Sequence, residues 1–278
     1  MRRLNADIFT QPPRSPYVGY IEDSAQPLTA LIFLSPVLLV YHLGVWLLSR
    51  EELHLANGAD LALAKMLNLF YFAGAWALRE IAPAWAEPSG WAITFLRGGS
   101  SLATLSLLAA VLLLQQHLAG GRWRWRWRTL PLMLAESVVW ALPLWLLEWL
   151  VKFLGAAEAS LTIAAGERLS APAVALIMAA GAGVYEEFLF RLLLMSLLFG
   201  IARTLDLGRG NAVYMAAMLA QALVFAGFHY LPGMDAPFSA EAFTFRALAG
   251  LYLGYLYLER GFALAAGGHV VYDVLITI

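Results

Sequence analysis

The sequence predicts an all-α, polytopic transmembrane bundle of seven or eight helices, and three observations carry that reading. The 278 residues are 61% hydrophobic and only 13% charged, where a soluble domain carries about 25% charged residues. Mean hydropathy is +0.70, which implies more apolar surface than a soluble fold of this length can hide from water. Apolar runs close to the roughly 20 residues that a helix needs to cross a bilayer recur along the chain.

In order, the chain begins with a stretch, residues 1–27, that is mostly polar, contains prolines and lacks signal-peptide form. It is expected to be a polar tail. Residues 28–278 are then a single transmembrane domain. Its clear spans run from Leu28 to Leu48, Ser101 to Leu118, Leu130 to Phe153, Ala171 to Phe199, Asn211 to Tyr230, Thr244 to Leu258 and Phe262 to Ile278. A weaker run, Leu61 to Leu78, is interrupted by Lys65 and Asn68. The fourth clear span starts well, with Ser170 and Pro172 at its head. At 1.5 Å per residue it is about 43 Å long, more than the hydrocarbon core. No internal repeat or low-complexity tract is present.

Orientation follows from the arginines. They gather at Arg2, Arg3 and Arg14, at Arg122, Arg124, Arg126 and Arg128, and at Arg203, Arg209 and Arg260. If Leu61 to Leu78 does not cross, all of these fall on one side with the N-terminus cytoplasmic, giving seven crossings, the preferred count. The Arg/Trp alternation from Arg122 to Arg128 reads as an interfacial belt of indoles with guanidinium groups among the headgroups. A net charge of −1 gives no reason to expect a nucleic-acid partner. The absence of cysteine excludes a thiol nucleophile, thiolate metal ligands, palmitoylation and disulfides. With no lipidation motif either, the helices themselves anchor the chain in the bilayer.

A charge inside a span costs about 2.5–3.5 kcal/mol on insertion scales, so each needs a reason. Glu148 lies four residues before Lys152, a favourable helical pair. Arg246 and Lys65 sit near segment ends and can snorkel. Glu136 has no evident partner, and His42 reads as a packing residue. The run from Gly181 to Arg191 differs, because Glu186 and Glu187 are adjacent in mid-span. On a helix Glu187 faces Arg191, four residues on, whereas Glu186 points about 100° away and its own fourth neighbour is Phe190. The spacing thus separates a carboxylate tied to a guanidinium from one free to act as a base. Gly181 and Gly183, one turn earlier, permit close approach of a neighbouring helix or a substrate. The next span ends with Phe225 and His229. The last holds Gly267, Gly268, His269 and Asp273, with His269 and Asp273 sharing a face.

Glu186-Glu187-xxx-Arg191, Phe225-xxx-His229 and His269-xxx-Asp273, in this order on successive apolar helices, resemble the EExxxR, FxxxH and HxxxN/D motifs of the CPBP intramembrane proteases (CaaX proteases and bacteriocin processing, also called Abi). The resemblance covers about residues 171–278, which would be the catalytic core. It implies that Glu186 activates water with help from His229, that His269 and Asp273 form an oxyanion site, that Glu187 and Arg191 are a structural pair, and that Phe225 lines the site. The CaaX-type members carry Asn at the last position. An ionised Asp273 cannot donate, so it is expected instead to orient His269.

The expected function is therefore intramembrane endopeptidase activity on a membrane-associated or lipid-anchored protein, close to one of its termini. The expected location is an integral one, in the bacterial cytoplasmic membrane. A cofactor is not expected. Zinc held by Glu186, His229, His269 and Asp273 is the alternative to a metal-free glutamate mechanism, and HExxH is absent. Two other readings compete: an ion- or proton-coupled transporter using the same charges, and a non-catalytic membrane partner or immunity factor of the same fold.

Overall fold

A computed structural model describes residues 16–48, 100–120, 123–155, 172–206, 211–230 and 238–277. Among the described residues every regular element is a helix: α1 Pro16–Ser24, α2 Pro27–Leu48, α3 Ser100–Leu118, α4 Thr129–Gly155, α5 Pro172–Glu187, a π-helical segment Phe188–Met195, α6 Ser196–Thr204, α7 Asn211–Phe228, α8 Ala240–Arg260 and α9 Phe262–Thr277. The weak span from Leu61 to Leu78, with Lys65, lies outside the described residues, and with it the choice between seven and eight crossings. So do Arg2, Arg3, Arg14, Arg122, Arg209 and Ser170.

The seven clear spans are helical over nearly all of their described residues, because a long apolar run must satisfy its backbone internally wherever water is scarce. The stretch expected as a polar tail contains α1. The run from Ala171 to Phe199 becomes α5, the π segment and α6 end to end, so the regular ladder is interrupted directly after Glu187. The π-helical turn is a tertiary feature that the spacing did not announce. Pro36 and Pro143 lie inside α2 and α4, as apolar membrane helices tolerate.

Local chemistry sets several boundaries. The side-chain amide oxygen Oε1 of Gln116 in α3 accepts from the Leu28 N–H at 3.1 Å, satisfying one orphan donor at the start of α2. Ser239 caps α8 by accepting from Ala242 N at 3.2 Å. Gly261, at φ +85°, turns the chain directly from α8 into α9.

α9 is the central post. It packs against α4 and α5, with α2 and α8 completing its surroundings, and is buried from Phe262 to Val270 and at Tyr272 and Asp273. One apolar cluster joins α2, α3, α5 and α9 through Leu34, Leu108, Val184 and Leu264. A second joins α4, α8 and α9 through Leu144, Leu253 and Tyr272. Close approach depends on glycine: a Cβ on Gly183 would lie 2.6–2.8 Å from the side chain and backbone of Val270. That contact sits one turn before Glu187 and next to His269, so it sets the spacing of α5 and α9 where the polar residues are.

The outer surface is apolar. On α4, Leu132, Leu146 and Phe153 are 55%, 55% and 68% exposed. Two helices, over Pro27–Gly44 and Thr129–Leu154, are long and apolar enough to cross a membrane, and shorter apolar helices cover Thr104–Leu118, Ala212–Phe228 and Phe262–Thr277. A helix that is apolar all round yet stays largely uncovered by protein requires lipid as its solvent.

Candidate active site

Four elements bring the polar residues together: the end of α5 carries Glu186 and Glu187, the π segment Arg191, the end of α7 Phe225 and His229, and the middle of α9 His269 and Asp273. All of these except His229 are less than a tenth exposed.

Glu187 is held on both sides. Its Oε1 lies 2.9 Å from Arg191 Nη1, with both side chains fully buried, and 2.8 Å from His269 Nδ1. Arg191 is fixed in turn by an Nη2 bond to the Gly250 carbonyl at 3.3 Å and by the Phe225 ring, 4.5 Å from its guanidinium carbon. Gln221 donates to the same carbonyl at 2.8 Å. The Glu187–Arg191 contact follows the four-residue spacing.

Glu186 is placed differently. Its Oε1 is 3.8 Å from His229 Nε2 and its Oε2 is 3.9 Å from His269 Nε2. Among the described residues no donor reaches it within hydrogen-bonding distance. These separations are too long for direct bonds and short enough for one water to touch both partners at about 2.8 Å, with an angle near 90° at the water.

The partners also fix which ring nitrogens carry protons. The Phe225 carbonyl can only accept, so His229 donates to it through Nδ1 at 2.9 Å, and Nε2 of the neutral ring presents a lone pair toward Glu186. His269 donates through Nδ1 to Glu187, leaving Nε2 to face Glu186 and Asp273, the latter at 3.7 Å. The group orienting His269 is thus Glu187, whereas the HxxxD spacing pointed to Asp273. Asp273 faces the opposite nitrogen, on the side of Glu186. An i,i+4 contact was visible in the sequence, but a partner 82 positions away was not.

The four side chains proposed for zinc do not fit one as placed. Zinc needs three or four donors at about 2.0–2.2 Å from a common point, and among the described residues no group of three or more His, Asp or Glu converges in that way.

The other charges find partners. Glu148 pairs with Lys152 at 2.7 Å and accepts from the Tyr272 hydroxyl at 3.0 Å. Glu136, which lacked an evident partner in the sequence, binds Arg260 through both oxygens at 2.7 and 2.8 Å. His42 Nε2 lies 2.6 Å from the hydroxyl of buried Tyr185, immediately before Glu186. Gln221 and Tyr185 were not singled out from the sequence; a polar side chain inside an apolar span was the available signal for Gln221.

Residues 168–275 match the Rce1-like family of type II CAAX prenyl endopeptidases. No curated protein and no solved structure matches the chain.

Proposed function

Because residues 168–275 match the Rce1-like family of type II CAAX prenyl endopeptidases, we propose that the chain is an intramembrane endopeptidase in which Glu186 activates the attacking water. One observation carries this reading. Of two adjacent buried carboxylates, Glu187 is engaged by a guanidinium and an imidazole, while Glu186 sits unbonded between two imidazole nitrogens.

In the mechanism, a water seated against Glu186 gives one hydrogen bond to its carboxylate and one to Nε2 of His229. Glu186 takes the proton as the water oxygen attacks the scissile carbonyl. His269, protonated at both nitrogens and held by Glu187, donates from Nε2 to the oxyanion. Asp273 faces the same nitrogen at 3.7 Å, beside the position of the reacting oxygen. Protonated Glu186 then returns its proton to the leaving amine. Phe225 walls the site between the two histidines, with ring centroids 5.1 and 6.2 Å from theirs. No metal is required by this scheme.

The substrate we propose is a membrane-associated or lipidated protein, prenylated tails included, cut near a terminus by a core of residues 171–278. The fold is a polytopic bundle in the bacterial cytoplasmic membrane. The orientation we propose follows the Lys/Arg bias: Arg126 pairs with Asp23 at 3.3 Å and Arg260 reaches Ser24 at 3.2 Å, so both arginines share one end, taken as the cytoplasmic one. The test compares protein termini in membranes from cells making the wild type or Glu186→Gln at matched levels, with and without a zinc chelator. New termini that require Glu186 and survive chelation are expected. Identical termini in both strains contradict protease activity, and termini lost on chelation contradict the metal-free scheme.

A further inference from the structure

We propose that Arg246, with Tyr230, forms a carboxylate-binding subsite beside the catalytic centre, and that this subsite reads an anionic group on the substrate chain. The inference rests on the protease reading above.

Arg246 lies within the second turn of α8, a helix that packs against α7, α9 and α4. The sequence suggested a snorkelling residue, but its Nη1 is buried and has no hydrogen-bond partner. Three other cations within or at the ends of the apolar helices each face a carboxylate: Arg191 on Glu187, Arg260 on Glu136 and Lys152 on Glu148. Arg246 faces none among the described residues. Its only compensation there is the Tyr230 ring, whose centroid is 5.3 Å from the guanidinium carbon, and a cation over an aromatic face recovers only part of what desolvation removes. An uncompensated cation in an apolar setting is costly, so a missing anion is the economical explanation.

Its position says where that anion comes from. Tyr230 directly follows His229, and its hydroxyl bonds the Ser239 carbonyl at 3.1 Å, tying the end of α7 to the start of α8. Arg246 thus stands over the ring of the residue next to a histidine of the site. A peptide lying across Glu186 would therefore pass Arg246 within a few residues of the scissile bond. Guanidinium binds carboxylate through two parallel hydrogen bonds, a geometry that neutral peptide groups do not match. A peptide offers that chemistry in two forms, its C-terminal carboxylate or an Asp or Glu side chain.

The experiment begins from the strongest Glu186-dependent cleavage site in membranes. A peptide spanning that site is made with its carboxylates intact, with the C-terminus amidated, and with acidic side chains replaced by Asn or Gln. Cleavage of each is followed by mass spectrometry for the wild type, Arg246→Gln and Arg246→Lys in detergent. The ratio between two peptides for one variant does not depend on how much of that variant folds. The wild type should prefer the carboxylate form by about tenfold or more, Arg246→Gln should lose the preference, and Arg246→Lys should restore part of it. Loss on terminal amidation identifies the chain end, and loss on side-chain replacement identifies an acidic residue. Equal slowing of all peptides by Arg246→Gln, or no change in the ratio, overturns the subsite while leaving the protease reading intact. Absence of any Glu186-dependent terminus overturns both.

Discussion

Two polar clusters, one partly and one almost fully buried, sit in this apolar bundle, and they are built on opposite plans. At the arginine-bearing end, both oxygens of Glu136 are fully used. Oε1 accepts from Trp140 Nε1 at 2.8 Å and Arg260 Nε at 2.7 Å; Oε2 accepts from Arg260 Nη2 at 2.8 Å and from the Tyr20 hydroxyl. This cluster ties α1, α4 and α8 together. In the other cluster Glu186 has two imidazoles just beyond bonding range and no donor on either oxygen among the described residues. A carboxylate whose acceptors are all filled can hold helices together but has no lone pair left for a water. The contrast is between a filled and an open carboxylate, and within the second cluster it is graded: Glu187 Oε1 is held by Arg191 and His269 while its buried Oε2 has no partner among the described residues.

The largest expected effect breaks the contrast at Glu186. Glu186→Gln should slow cleavage by about 10²–10⁴-fold, the range for removing a general base, with an unchanged melting temperature in detergent. Glu187→Ala or Arg191→Ala should behave as structural losses, lowering stability by about 3–5 kcal/mol because each strands a fully buried charge. Chemical denaturation in mixed micelles measures this. Gly183→Ala sharpens the comparison by leaving every charge in place. Forcing a methyl against the Val270 backbone should cost about 1–3 kcal/mol and reduce cleavage further by moving Glu187 away from His269. The smallest change in chemistry is expected at the saturated cluster. Arg260→Gln should lower stability by about 1–3 kcal/mol while leaving the cleavage rate per folded molecule as in the wild type.

What could be read from the sequence was local. The starts of α2, α4 and α7 fall within one residue of the expected spans, because a run of apolar residues specifies a membrane helix without help from the rest of the chain. The pairs Glu187–Arg191 and Glu148–Lys152 were legible for the same reason, since four residues is one turn. Partners far apart in the chain were not. Glu136 finds Arg260, and Glu187 rather than Asp273 takes Nδ1 of His269, only once α9 packs between α4 and α5. The π-helical segment after Glu187 and the contact of Arg246 with the Tyr230 ring likewise depend on neighbouring helices. The sequence marks Gly183 as a place where another helix can come close, but what it meets, Val270, is a tertiary fact.

The division of labour between the two adjacent glutamates is the claim on which the rest depends. Its most direct test is to measure cleavage and melting temperature together for Glu186→Gln and Glu187→Gln, each purified at matched concentration. The arrangement predicts that Glu186→Gln melts like the wild type and does not cleave, while Glu187→Gln melts lower. A Glu186→Gln protein that cleaves at the wild-type rate, or a Glu187→Gln protein that melts unchanged and alone loses cleavage, would contradict it.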